Sequence, residues 1–234
     1  MSVEERTLLR SPTTTRPAPL RFASFVGVLA GIAYLSWPLA YALNRSVVER
    51  GLASDLEVPG QPYNWLFIGL DIVSGLFMVA LAVLAWQGAE HRPGRTGGGL
   101  LGYGLFGLSS ILDAAVPLSC GHGRAALLAC GTDAGTYGVH DFVSVLGYLA
   151  FFGSLVGAMV RPWRDGSPRW WATSIVLTGV AWAVAGLAFL AITLSQDSEV
   201  TSQHVLLLLT SLVIALVPFT IHWRGPQRTN QPSG

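Results

Sequence analysis

Asp71, Asp113, His140, Asp141 and His204 stand inside, or at the mouths of, long apolar stretches of the chain. An ionisable side chain is costly to keep there and is therefore a functional candidate. Carboxylates and imidazoles gathered out of water suit three kinds of chemistry. They can take up a proton or a cation, hold a small solute or a lipid headgroup, or, as two histidines with one aspartate, carry a zinc ion that activates water. Ser74 joins the candidates because it follows Asp71 at helical spacing, with Gly75 and Met78 on the same face. Each residue also has a plainer use. Asp141 would sit in the first turn of a helix, where a carboxylate meets free amides and the positive end of the dipole. His140 and His204 suit an interface, Asp113 could pair with Arg124, and Asp71 could be a neutral, hydrogen-bonded structural carboxyl.

Other signatures are lacking. The sequence has no His-Glu-x-x-His, Walker A or Gly-x-Ser-x-Gly pattern. Gly97-Gly98-Gly99 lies at a helix entrance without a strand, which excludes a dinucleotide fingerprint. A haem would need two histidines at matched depth, for which His140 and His204 are the one conceivable pair. No cofactor and no resident metal are expected, and no enzymatic activity is assigned.

The elements that must position these residues follow from composition. Charged residues make up 12% of the 234 positions against 51% hydrophobic, and the mean hydropathy is +0.51. A soluble surface is hard to build from so few charges, and lipid is the expected solvent. A net charge of +1 leaves no basic field for nucleic acid, and the apolar content argues against disorder. Apolar runs cover Phe22 to Leu43, Trp65 to Trp86, Gly99 to Leu118, Val139 to Val160, Trp170 to Leu194 and Val205 to Trp223. At about 1.5 Å per residue each is long enough to cross a hydrocarbon layer of roughly 30 Å. The expected fold is all-α: an integral membrane bundle of six transmembrane helices over residues 22–223. A disordered cytoplasmic tail, 1–21, precedes it and a cytoplasmic tail, 224–234, follows. Trp65, Trp86, Trp163, Trp170, Trp171 and Trp223 fall at run ends, where an indole prefers the headgroup zone. The first run exceeds the apolar length of a cleaved signal peptide and contains Trp37-Pro38, so it is read as a retained span. Pro38 and Pro218 are candidate kinks.

Orientation follows from arginine, the only strongly basic residue type in the chain. With the amino terminus in the cytoplasm, Arg6, Arg10, Arg16, Arg21, Arg92, Arg95, Arg161, Arg164, Arg169, Arg224 and Arg228 fall inside, and only Arg45, Arg50 and Arg124 outside. Both termini are then cytoplasmic and the protein is a multi-pass component of the cytoplasmic membrane. Asp71 lies about 9 Å, and Asp113 about 7 to 8 Å, below the outer boundary. The histidines enter from the same side, so the polar residues gather in the outer half of the membrane. Asp71, Asp113 and His140 are expected to face one another across spans two, three and four, because a carboxylate exposed to acyl chains costs several kcal/mol. The small-residue pairs Gly27/Gly31, Gly98/Gly102 and Gly153/Gly157 let helices approach closely, within one chain or between copies as a homo-oligomer.

The stretch from Ser54 to Leu76, SDLEVPGQPYNWLFIGLDIVSGL, the later ILDAAVPLSC with a second cysteine ten residues on, and His140-Asp141 are similar to one family. Together they resemble the six-span bacterial membrane proteins grouped as domain of unknown function 998. The resemblance spans nearly the whole membrane region and implies six spans and no established activity. The chain departs from the family pattern at the start of span six, with Gln203-His204 where the family has a basic residue. The favoured function is binding or moving a small solute, ion or lipid headgroup. A metal-dependent intramembrane hydrolase and a non-catalytic accessory subunit are the alternatives.

Two outcomes follow. Reporters active only outside the cell should respond when fused after Gly60, Gly123 or Ser198 and stay silent after Gly94 or Gly166; the reverse pattern would invert the topology. Cys120 and Cys130 share one outer connector beyond the reducing cytoplasm and should form a disulfide, adding roughly 2 to 3 kcal/mol. Non-reducing peptide mapping should find the two cysteine peptides linked, and quantitative alkylation without reductant would refute the bond.

Overall fold

A backbone surrounded by hydrocarbon must satisfy its own N–H and C=O groups, and in a single segment only a helix does so. The computed structural model describes residues 18–49, 51–89, 97–116, 118, 134–164, 169–195 and 200–221, and among them the regular structure is helical throughout. The long helices are α1 (Ala18–Tyr34), α2 (Asn64–Ala89), α3 (Gly97–Ala115), α4 (Ala134–Arg164), α5 (Arg169–Ser195) and α6 (Val200–Ile221). Asn64–Leu84, Gly138–Val160 and Ala172–Ile192 are long and apolar enough to cross a membrane. Their outward faces carry exposed large hydrophobics such as Leu76, Phe142, Leu149 and Leu187, as lipid contact requires. The chain therefore has the character of a multi-pass membrane protein. Leu101–Ala115 and Thr201–Val217 are shorter apolar helices.

The first apolar run is broken. α1 stops at Tyr34, and the chain resumes as a 3-10 turn, Trp37–Leu39, and a short helix, Ala40–Leu43, bent by 42° from α1. Pro38 has no N–H to continue the ladder, which accounts for the break. The bent pair counts as a fourth candidate span if its two parts cross together. α6, by contrast, runs continuously through Pro218.

Each long helix packs on its neighbour in sequence, and α6 closes back on α1, so the six form a ring. Tyr103, Phe106, Phe151, Met78, Ile214 and Trp182 fill its centre. Where α1 ends and α2 begins, hereafter the cap end, a second apolar cluster of Ala40, Val48, Leu56 and Phe67 is roofed by Trp37, Leu43 and Val47. Close approach depends on glycine. A Cβ at Gly75 of α2 would lie 2.5 Å from the Gly107 carbonyl oxygen of α3, and one at Gly107 would lie 2.7 Å from that of Gly75. Gly31 packs on Ser211 of α6, Gly102 on Ala150 of α4, and Gly157 on Gly99 of α3, all within the chain. Gly153 does not share this role, since a Cβ there meets nothing within 4 Å.

Gly107→Val should therefore push α2 and α3 apart and cost about 1 to 3 kcal/mol, whereas Gly153→Ala should be neutral or stabilising by up to about 1 kcal/mol. Thermal unfolding of the purified variants measures both.

Candidate functional site

Helix alternation brings the end of α1, the start of α2, the end of α3 and the starts of α4 and α6 to the cap end. Tyr34, Asp71, Asp113, His140 and His204 are carried there with them. The connector between α1 and α2 covers this end. Its 3-10 turn, Ala53–Glu57, buries Asp55, Leu56 and Glu57, the last only 6% exposed. The turn is tied down by the Ala53 N–H donating to Gln203 Oε1 of α6 at 2.7 Å, and by Asn44 Nδ2 donating to Gln61 Oε1 at 3.2 Å.

The Glu57 carboxyl lies within electrostatic reach of the Asp71 carboxyl. Burial pushes the Glu57 carboxyl well above the usual range, and the Asp71 carboxyl beside it, with Asp113 further off, adds to the effect. Asp113 lies within electrostatic reach of Asp71 and accepts a hydrogen bond from Ser144 of α4, Oγ to Oδ2, at 2.7 Å. Its Oδ1 is 3.8 Å from His140 Nδ1, and His140 itself is buried, with Nδ1 3.4 Å from the Val116 carbonyl oxygen. Glu57 Oε2 and Asp113 Oδ1 are buried without a hydrogen-bond partner. Three carboxyls and an imidazole thus gather at one place, Glu57 and His140 buried and Asp71 and Asp113 half-buried, which suits uptake of a proton or a small cation.

Behind the carboxyls a line of hydroxyls enters the bundle. The Tyr34 and Tyr148 hydroxyls are 3.1 Å apart, and Tyr148 is hydrogen-bonded to Thr210. Thr210 Oγ1 accepts from Trp182 Nε1 and donates to the Leu206 carbonyl oxygen, each at 2.8 Å.

The remaining candidates are placed differently. Ser74 is wholly buried and donates to the Ala30 carbonyl oxygen at 2.9 Å, fastening α2 to α1 instead of joining the carboxyls. Asp141 does not cap its helix: α4 begins at Ala134, so Asp141 sits about two turns in, half-buried and within electrostatic reach of Asp113. His204 stacks on Trp37, ring centroids 4.0 Å apart and planes 4° from parallel, and its Nε2 is buried without a partner. Among the described residues, no three His, Cys, Asp or Glu side chains are arranged to hold a metal ion. Cys120, Cys130 and Arg124 lie outside the described residues.

Sequence reasoning missed Glu57, Ser144 and the tyrosine pair. The signal for Glu57 was a carboxylate between Leu56 and Val58, apolar neighbours inside a connector.

A family model described as protein of unknown function (DUF998) matches residues 28–221. The chain belongs to this family. The matched region holds α2 to α6 whole, the whole connector and all the carboxyls just described. No curated protein and no solved structure matches the chain.

Proposed function

We propose that this DUF998 protein is a six-span protein of the cytoplasmic membrane with both termini in the cytoplasm. Residues 22–223 form its membrane domain, residues 1–21 and 224–234 its tails, and its outward-facing pocket binds a small cation in exchange for a proton. The closed ring of six helices and the arginine distribution support the topology. The gathering of the Glu57, Asp71 and Asp113 carboxyls with His140 at the cap end carries the functional reading. A site of three carboxyls out of water is stable only when protons or cations offset its charge, so the two compete for it. A cationic solute or the cationic part of a lipid headgroup would meet the same chemistry.

Adding sodium, potassium or tetramethylammonium to weakly buffered, purified protein should release protons, read with an indicator dye. Asp71→Asn keeps the shape and removes the charge, and should abolish the release while leaving insertion and unfolding temperature unchanged. Unaltered release in that variant, or a loss of stability with release intact, would assign Asp71 to structure.

A further inference from the structure

We propose that the stacked pair of Trp37 and His204 is a second binding site, whose two ring nitrogens take an ester carbonyl oxygen of a bilayer lipid. The site shares no residue with the carboxyl group and does not depend on it.

The pair joins two elements far apart in the chain. Trp37 opens the 3-10 turn at which the first apolar run breaks, and His204 lies about one turn into α6. Their rings are stacked, with centroids 4.0 Å apart and planes 4° from parallel. Tyr41 stands against both, its ring centroid 6.0 Å from that of Trp37 and 6.4 Å from that of His204. Stacking uses the ring faces and leaves the ring edges, where the polar atoms are. Trp37 Nε1 and His204 Nε2 are both buried, and among the described residues neither has a hydrogen-bond partner. A buried indole N–H usually finds one, and leaving a buried polar group unmet costs more than a made hydrogen bond returns. Two such atoms on one stacked pair mark a place that is completed from outside the chain.

The chemistry of the atoms defines what completes it. Indole Nε1–H only donates, so the group that meets Trp37 must accept, and His204 Nε2 donates as well when it carries the ring proton. The surroundings are apolar, because Trp37 packs on the cluster of Ala40, Val48, Leu56 and Phe67, with Leu43 and Val47 beside it. An oxyanion brought there would give up its hydration at high cost, whereas a neutral carbonyl oxygen gives up little.

Access is from the lipid side. Leu39 and Tyr41 flank Trp37, Val205 follows His204, and all three are exposed. On α6 the exposed Val205, Leu208 and Leu212 form one stripe at helical spacing, which begins beside His204. Tyr41 is the movable member of the group, since an exposed side chain changes rotamer within nanoseconds. The pair also stands at the cap end, where the apolar runs terminate and a neighbouring lipid presents its interfacial, ester-bearing region.

Water satisfies the same atoms without any carbonyl, and the experiment separates the two. Purified full-length protein is placed in nanodiscs of dioleoylphosphatidylcholine or of its dioleyl diether analogue, which share headgroup and chain length and differ in the two carbonyls. The unfolding temperature should be about 2 to 4 °C higher in the ester lipid. Trp37→Phe removes the N–H and keeps a ring, and His204→Phe removes Nε2 and keeps the stack; each should cut the ester-over-ether difference to about half or less. Equal unfolding temperatures of the wild type in the two lipids would overturn the proposal and leave water at the nitrogens. A difference that survives intact in both variants would overturn it as well, by placing the carbonyl elsewhere. Should neither variant fold, the indole N–H spectrum of the wild type decides. One of the eight tryptophan N–H signals should shift between ester and ether discs, and a spectrum without such a shift would overturn the site.

Discussion

A carboxyl group removed from water has to be met by a proton, a cation or a donor, and the cap end of this protein is organised around that requirement. Asp71 would be untenable on a lipid-facing surface, and the helix carrying it is turned so that it meets Glu57. Asp113 is turned toward Ser144 and His140. Once these faces are fixed inward, the outward faces are left to Leu76, Leu149 and similar side chains, and the rotation of each helix in the ring is set. Polar satisfaction in the interior and apolar contact with lipid are two sides of one orientation.

Packing makes that orientation rigid. Gly75 and Gly107 meet backbone to backbone one turn from Asp71 and about two turns from Asp113, so the helices bearing the two aspartates are held at the shortest separation two helices allow. Ser74 adds a hydroxyl bond from α2 to the backbone of α1. The carboxyls of α2 and α3 therefore cannot move apart by separating their helices.

The all-helical character, the apolar runs and the gathering of Asp71, Asp113 and His140 at one end were legible in the sequence, because hydropathy and helix alternation dictate them. Periodicity says nothing about an irregular connector, so Glu57 went unread: its burial depends on how the 53–57 turn folds back over α2. Asp141 was misread as a first-turn residue because the preceding Gly135, Thr136 and Gly138 resemble a loop, yet they are helical. Ser74 was grouped with Asp71 by spacing alone, and residues three apart on a helix can face different neighbours when the helix touches two. The break in the first run was visible as Pro38, but a proline alone does not reveal a bend of 42°.

The interior beyond the carboxyls narrows what the site can do in this conformation. Below Asp71 the polar continuation runs through Tyr34, Tyr148 and Thr210 to Trp182. Single hydroxyls in hydrogen-bonded contact can pass or bias a proton, but they leave no width for a solute. Around them Phe106 and Phe151 pack with centroids 4.5 Å apart, and Met78 and Ile214 are fully buried. A solute bound at the carboxyls would have to part this layer to travel further, at the cost of the best-packed contacts in the ring. The site is thus closed below by a packed aromatic core and above by thirteen connector residues, Gly51 to Tyr63, which bring the buried Glu57 to it.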